Sequence, residues 1–147
     1  MAGQLNILFL CTGNSCRSQM AEGWTRHLHP DRFEVYSAGT TAQGLNPRAV
    51  QVMAEAGVDI SGQYSKTVNE LPDVDLDYVI TVCDRAHEVC PLFLGSTTAI
   101  HAGFDDPPGL AEQAVTEEEA LDHYRRIRDE IRAFVEDLPD RVAEANP

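Results

Sequence analysis

One short segment of the chain combines a candidate nucleophile with groups that bind oxyanions. It reads Cys-Thr-Gly-Asn-Ser-Cys-Arg-Ser from Cys11 to Ser18. Successive backbone N–H groups in a tight, glycine-containing turn form a nest for an anion, and a helix that follows adds the positive end of its dipole. Arg17 adds a planar guanidinium that can hold two oxygens of one anion. The sequence therefore predicts a site for a tetrahedral oxyanion. The residues expected to line it are Thr12, Gly13, Asn14, Ser15, Cys16, Arg17 and Ser18.

Cys11 is the candidate nucleophile of this site. The pKa of a free cysteine is about 8.5, and it falls to roughly 3.5–7.5 beside a helix N-terminus or a cation. We therefore expect Cys11 to be largely thiolate at neutral pH and to attack the central atom of a bound oxyanion. Cys16, in the same segment, is interpreted as a packed or hydrogen-bonding residue rather than as a second nucleophile.

Apolar patterns on both sides of this segment predict the elements that position it. The continuous apolar run 5–10 is typical of a central parallel strand that is buried on both faces. A helical pattern begins near Gln19, and further helices are predicted after Asn46 and from about Thr116. Three more strands are predicted at 33–38, 78–82 and 97–102. This alternation predicts a single α/β domain over residues 1–147, with an open four-stranded parallel sheet and helices on both faces.

The composition narrows the classes of function. The 147-residue chain has a formal net charge of −13, which disfavours binding to nucleic acid or to anionic membranes. The sequence has no secretory signal pattern and no apolar run of membrane-spanning length. We expect a cytoplasmic, monomeric protein. In a reducing compartment, its four cysteines are better interpreted as reactive thiols than as structural disulfides.

Other candidate catalytic residues follow the predicted strands. Cys83 follows the third strand, Cys90 lies seven positions further on, and Asp105 lies in the loop after the fourth strand. Ligands of open parallel sheets bind at the carboxyl ends of the strands, so this topology is expected to bring all three residues near the oxyanion segment. The two cysteines can form a disulfide and reopen it if the loop between them folds back.

Each of these residues also has a simpler interpretation. Cys83 could fill the end of a buried strand as a small hydrophobic residue. Asp105 and Asp106 precede a proline and could be turn residues. Metal binding by Cys83, His87 and Cys90 would leave a structural zinc ion one ligand short, so no metal site is predicted there.

Five features of the sequence occur together in one known family. They are the stretch from Cys11 to Trp24, the stretch from Tyr36 to Gly39, the stretch from Gly44 to Pro47, the pair Cys83 and Cys90, and the stretch from Gly103 to Pro107. Together they resemble the motifs of the thioredoxin-coupled arsenate reductases, which share the low-molecular-weight tyrosine phosphatase fold. The resemblance spans nearly the whole chain. It implies a four-stranded parallel sheet flanked by helices, in agreement with the predicted order of elements.

The resemblance also implies a reaction path. Arsenate binds in the loop that ends at Arg17, the Cys11 thiolate attacks arsenic, and Asp105 protonates the departing hydroxide. Cys83 then attacks the sulfur of Cys11, so that two electrons pass to arsenic and arsenite leaves. Cys90 resolves the disulfide between Cys11 and Cys83, and the new disulfide between Cys83 and Cys90 is reduced by thioredoxin. Reduced thioredoxin is the implied electron donor, and no bound cofactor is implied.

Two other functions would use some of the same residues. A phosphatase of this fold would use Cys11, Arg17 and Asp105 on phosphotyrosine and would not need Cys83 or Cys90. The Pro-Pro-Gly-Leu sequence at 107–110 lacks the aromatic residues that phosphotyrosine pockets often place there. A non-catalytic redox or oxyanion sensor would need a partner-binding extension or apolar patch, and the sequence shows neither. Arsenate reduction with a weak phosphatase side activity is therefore the favoured function.

A final implication of the resemblance concerns a potassium ion behind the oxyanion loop. The matching positions are Asn14, Glu22 and Ser37, but the fourth position, which is acidic in many relatives, is Lys66. An ammonium group cannot bind a cation, yet it can itself pair with a carboxylate. We therefore expect Lys66 to replace the ion by pairing with Glu22. The simpler interpretation is a solvated surface lysine.

Overall fold

Four parallel strands form the sheet of the computed structural model, which describes residues 4–82 and 97–145. The strands are β1 (Leu5–Cys11), β2 (Phe33–Gly39), β3 (Tyr78–Thr81) and β4 (Thr98–His101). Their order across the sheet is β2-β1-β3-β4, and each neighbouring pair is parallel. The predicted four-stranded parallel sheet is confirmed, and the predicted strand ends agree with the observed ones to within one residue.

β1 lies at the centre of the fold because it is apolar on both faces. Its residues 7–10 are all fully buried. Successive side chains of a strand point to opposite faces, so both faces of the sheet are covered by packed structure. Cys11, the last residue of β1, lies opposite Gly39 at the end of β2. The candidate nucleophile is therefore fixed at the carboxyl edge of the sheet.

The described residues form five α-helices and a short 3₁₀ turn at Val68–Glu70. The helices are α1 (Arg17–Leu28), α2 (Pro47–Glu55), α3 (Pro107–Ala111), α4 (Glu117–Glu136) and α5 (Leu138–Ala145). α1 and α2 both pack against α4, and α1 also contacts β1 and β2. In this part of the chain, every helix is too short or too polar to cross a membrane.

Side-chain caps define where two of these helices begin. The Asn46 side chain accepts hydrogen bonds from the backbone N–H groups of Arg48 and Ala49 at the start of α2. The Thr116 hydroxyl accepts one from the N–H of Glu119 at the start of α4. Both starts agree with those predicted from the sequence.

α4 packs on the core through the apolar stripe that its sequence pattern predicts. The buried residues of this stripe are Leu121, Tyr124, Ile127, Ile131, Phe134 and Val135. The indole N–H of Trp24 in α1 donates a hydrogen bond to the carbonyl of Arg128 in α4 at 3.1 Å. α4 therefore holds α1, whose N-terminus carries the predicted oxyanion site, against the sheet.

Candidate oxyanion site

A tight turn connects β1 to α1 and contains the predicted oxyanion loop. The turn runs through residues 12–16, and Arg17 is the first residue of α1. Asn14 has a φ of +46°, in the left-handed region that residues other than glycine rarely adopt. Cys11 enters the turn with 4% of its surface exposed. The local geometry is therefore that of a strand-to-helix anion nest, as the sequence predicts.

Each carbonyl oxygen from Thr12 to Ser15 accepts a hydrogen bond from a neighbouring part of the chain. The pairs are Thr12 O with Thr41 N–H at 3.0 Å, Gly13 O with Gln43 N–H at 3.0 Å, Asn14 O with Gln19 Nε2 at 3.1 Å, and Ser15 O with Asn46 N–H at 2.9 Å. The hydroxyl of Ser65 also donates to Gly13 O. All four carbonyl groups are thus held by partners outside the turn.

The orientation of these carbonyls determines where the adjoining N–H groups point. In a trans peptide the C=O and the N–H of the next residue point in opposite directions. The N–H groups that follow the four carbonyls belong to Gly13, Asn14, Ser15 and Cys16. Within residues 4–82 and 97–145, no acceptor is found for any of these four N–H groups. Four donors are therefore available to an anion.

Gly39 allows β2 to pass directly against this turn. A Cβ atom at Gly39 would lie 2.6 Å from the Thr12 carbonyl oxygen, 2.6 Å from the Thr41 carbonyl oxygen and 2.8 Å from the Asn14 nitrogen. These neighbours are backbone atoms that cannot rotate away. Any side chain at this position would therefore displace the turn, which gives a physical reason for the glycine that ends the stretch from Tyr36 to Gly39.

Arg17 is held at the edge of the site by the loop that follows β4. Its Nη1 donates a hydrogen bond to the Phe104 carbonyl at 2.9 Å, and its Nη2 lies 3.4 Å from Asp106 Oδ1. Its Nε is buried and has no acceptor among the described residues. A buried donor without an acceptor costs free energy. A ligand that supplies an acceptor oxygen to this N–H removes that cost. The guanidinium is therefore positioned with a donor to spare for an oxyanion.

The two neighbouring aspartates of this loop have different partners. The Asp105 carboxylate forms an ion pair with Arg126 of α4 at 3.1 Å. Asp106, in contrast, is the residue beside Arg17. Both side chains are more than half exposed. The structure thus brings Asp106 to the oxyanion loop, whereas Asp105, the acid assigned from the sequence, is paired with an arginine outside it.

Of the three cysteines other than Cys11, the structure describes only Cys16. Cys16 is 4% exposed, and burial raises the pKa of its thiol, an effect that the positive charge of Arg17 opposes. Its neutral, packed state agrees with its interpretation as a structural loop residue. Cys83 and Cys90 lie outside the described residues. Among the described residues, no group of three or more His, Cys, Asp and Glu side chains is arranged to hold a metal ion.

The residues matched to a potassium site are already bonded to groups of the protein. The hydroxyl of Ser37 donates to Glu22 Oε1, and Glu22 Oε2 pairs with Arg26 at 2.8 Å. Asn14 Oδ1 accepts hydrogen bonds from the Lys66 backbone N–H and from Gln19 Nε2. Both Glu22 oxygens and Asn14 Oδ1 therefore already have protein donors as partners. The cation beside Glu22 is the guanidinium of Arg26.

Lys66 does not form the predicted pair with Glu22. Its ammonium donates to the carbonyl of Tyr64 at 2.9 Å and lies 4.5 Å from the centre of the Tyr64 ring. Burial lowers the pKa of Lys66, while the negative charge of Glu22 opposes this shift. Lys66 is also 8% exposed, so it is not a solvated surface lysine either. Both sequence-based interpretations of Lys66 are therefore corrected: Lys66 is buried, and Glu22 forms its ion pair with Arg26.

The comparison with known proteins agrees with this geometry. The family model for low molecular weight phosphotyrosine protein phosphatase matches residues 6–146. The chain belongs to this family. Its relatives in the family include arsenate reductases from Halalkalibacterium halodurans, 50% identical over 125 residues, and from Bacillus subtilis, 49% identical over 125 residues. Each alignment covers 85% of this chain and 88% of the relative.

Solved structures extend the same comparison to the fold. An arsenate reductase in the phosphate-binding state is 30% identical to this chain, with a TM-score of 0.75. The match covers 97% of this chain and 100% of that protein. A low molecular weight protein tyrosine phosphatase from T. tengcongensis shares the fold, with a TM-score of 0.71 at 24% identity. The resemblance inferred from the sequence motifs is therefore confirmed.

Several supports of the loop in this phosphatase-family chain were not predicted from the sequence. Three of them are the side chain of Gln19, the backbone N–H of Asn46 and the carbonyl of Phe104. Two of them act through the main chain, where the residue type carries no signal. For Gln19, the only available signal was an uncharged amide in the first turn of a helix that follows an anion loop.

Proposed function

We propose that this chain is an enzyme that reduces arsenate to arsenite by thiol–disulfide exchange. The observation that carries the proposal is the nest of four N–H donors that begins after Cys11 and ends at Arg17. Such a nest binds a tetrahedral oxyanion beside a thiol. The identity of 50% with an arsenate reductase supports arsenate as that oxyanion.

The first step is attack on the bound anion. The N–H groups and Arg17 stabilise the negative charge of arsenate, and the Cys11 thiolate forms a bond to arsenic. One arsenic–oxygen bond breaks, and the leaving oxygen takes a proton. We assign this proton to Asp106 rather than to Asp105, because Asp106 lies beside Arg17 and Asp105 is paired with Arg126.

The later steps use Cys83 and Cys90, whose roles come from the resemblance. The Cys83 thiolate attacks the sulfur of Cys11, and the electron pair of the sulfur–arsenic bond passes to arsenic, which leaves as arsenite. Cys90 then attacks Cys83, which frees Cys11 and leaves a disulfide between Cys83 and Cys90. Reduced thioredoxin is the proposed donor that reopens this disulfide, and the proposed enzyme has no bound cofactor. It acts as a cytoplasmic monomer with one domain over residues 1–147.

The assignment of Asp106 leads to a test against its neighbour. Asp106→Asn is expected to slow arsenite formation in a single turnover by about 10²- to 10⁴-fold, the usual contribution of a general acid. Asp105→Asn, which removes only an exposed ion pair, is expected to slow it much less. Rapid-quench measurement of arsenite at saturating arsenate gives both rates. A larger loss in Asp105→Asn would favour the assignment made from the sequence, and equal losses would implicate the loop as a whole.

A second activity is supported by the family itself. Hydrolysis of an aryl phosphate needs only the oxyanion nest, the Cys11 thiolate and a proton donor. The match to the low molecular weight phosphotyrosine protein phosphatase family favours this reaction as a weak side activity. It does not require Cys83 or Cys90.

The contacts of Glu22 and Asn14 predict that potassium does not change the affinity for arsenate. The affinity for arsenate is expected to be the same in sodium and potassium salts, because the oxygens matched to a potassium site already accept from Arg26, Ser37 and Lys66. Isothermal titration with arsenate in NaCl, KCl and choline chloride at one ionic strength measures this. Lys66→Asp is expected to show no potassium response either, because Arg26, Ser37 and the backbone N–H of residue 66 all remain in that variant. Strong tightening by potassium in the unmodified protein would contradict the prediction.

One coupled assay tests the proposed function directly. NADPH consumption is followed with thioredoxin reductase, thioredoxin and the purified protein, with and without arsenate. Arsenate-dependent consumption with stoichiometric arsenite is the expected result. A flat trace beside brisk hydrolysis of an aryl phosphate would favour the phosphatase, and a flat trace with neither activity would favour a redox sensor.

A further inference from the structure

Among the described residues, one of the four carbonyls that shape the oxyanion loop is held by a side chain without a backbone partner. The carbonyls of Thr12, Gly13 and Ser15 each accept from a backbone N–H of a neighbouring segment. The carbonyl of Asn14 accepts from the side-chain amide of Gln19 instead. Backbone partners are present whatever the residue type, but the bond to Asn14 exists only because residue 19 is a glutamine.

The amide of Gln19 is itself fixed in one orientation. Gln19 is fully buried, and its Oε1 accepts a hydrogen bond from Gln63 Nε2 at 2.8 Å. Because Oε1 faces Gln63, the donor atom Nε2 faces the loop, where it lies 3.1 Å from Asn14 O and 3.0 Å from Asn14 Oδ1. The same Nε2 lies 3.0 Å from the Tyr64 carbonyl. A flipped amide would place an acceptor against these three oxygens.

The peptide that Gln19 holds joins Asn14 to Ser15, and no backbone N–H of the described residues bonds to its carbonyl. Rotation of this peptide plane would change ψ of Asn14 and φ of Ser15, and it would exchange the directions of the carbonyl and the N–H. The Ser15 N–H would then be lost to a bound anion.

We propose that Gln19 is a positioning residue that selects the orientation of the peptide between Asn14 and Ser15, and thereby supplies the Ser15 N–H to the oxyanion. Gln19 acts through this peptide rather than by contact with the anion. The proposal rests on the proposed binding of an oxyanion at the same loop. A residue that only stabilised the fold would affect all the loop N–H groups alike, whereas the proposed role of Gln19 predicts the loss of the Ser15 N–H alone.

Amide NMR with inorganic phosphate as the probe tests the proposal. In the unmodified protein, phosphate is expected to shift the amide signals of Gly13, Ser15 and Cys16. In Gln19→Met, a substitution of similar length without a donor, the Ser15 response should disappear while the other two remain. kcat/KM for arsenate should fall by about 100-fold, the smaller end of the loss seen when one oxyanion donor is removed.

Two further variants make the result decisive. Gln51→Met, a matched change of an exposed glutamine on α2, should leave phosphate binding and kcat/KM unchanged. Gln19→Glu keeps the acceptor for Gln63 and removes the donor, so it should also lose the Ser15 response. It serves as the second test variant if Gln19→Met fails to fold. An unchanged Ser15 response in a folded Gln19 variant, or equal loss of all three responses, would overturn the proposal.

The amide responses of the unmodified protein separate failure of the proposed role of Gln19 from failure of the proposed function. If the Gly13 and Cys16 amides respond to phosphate and the Ser15 amide does not, the proposed role of Gln19 is wrong while oxyanion binding stands. If no loop amide responds, the proposed function fails, and the role of Gln19 is overturned with it. Thermal melting of each variant separates loss of folding from loss of the single donor.

Discussion

Cys11→Ser is expected to abolish arsenate reduction and aryl phosphate hydrolysis together. Both reactions begin with the same thiolate at the end of β1, and loss of a covalent nucleophile costs on the order of 10⁶-fold in kcat. Steady-state assays of the two activities on one protein preparation measure the effect. Binding of inorganic phosphate should persist, because the N–H nest and Arg17 are unchanged.

Cys16→Ser is the matched control for this prediction. Cys16 belongs to the same loop, but it is buried, and its raised thiol pKa keeps it neutral. Turnover with thioredoxin should therefore be retained. If Cys16→Ser abolished both reactions and Cys11→Ser did not, the nucleophile would be assigned to the wrong cysteine.

Cys83→Ser and Cys90→Ser are expected to separate the two activities. Each should abolish repeated turnover of arsenate with thioredoxin, because the disulfide relay cannot be completed. Hydrolysis of an aryl phosphate should remain substantially intact, because it needs only the loop and a proton donor. Parallel assays of NADPH consumption and aryl phosphate hydrolysis give the comparison.

The two relay variants should also differ from each other in a single turnover. Without Cys83, no thiol breaks the bond between Cys11 and arsenic, so no arsenite is expected. Without Cys90, one arsenite per chain should form, leaving a disulfide between Cys11 and Cys83 that mass spectrometry can detect. Normal cycling of Cys90→Ser with thioredoxin would contradict the relay and indicate another thiol donor.

The sequence predicted the elements of this protein because their signals are local. The apolar run of β1 is a contiguous stretch, and it is buried on both faces as predicted. Asn46 and Thr116 begin helices through bonds to residues two or three positions away. The anion loop has the same character, because a strand, a glycine-containing turn and a helix follow one another along the chain. Such short-range patterns need no knowledge of tertiary contacts.

Local patterns could not predict which of the two adjacent aspartates lies beside Arg17. Asp105 and Asp106 have the same side chain and differ by one position, so composition and spacing treat them alike. Packing of the loop against α4 gives Asp105 an arginine partner and leaves Asp106 beside Arg17. The surroundings of Lys66 were unpredictable for a related reason, since its partners depend on which side chains share the buried space.

The sequence by itself determined a parallel α/β sheet with an anion loop at its carboxyl edge and a cysteine at the start of that loop. Only the tertiary structure decided which groups hold the loop in shape. Gln19 orients the Asn14 carbonyl, Asn46 holds the Ser15 carbonyl, and Gly39 permits close approach of β2. The physical reason is that a peptide's orientation depends on partners that are distant along the chain and become neighbours only after the sheet and helices have packed.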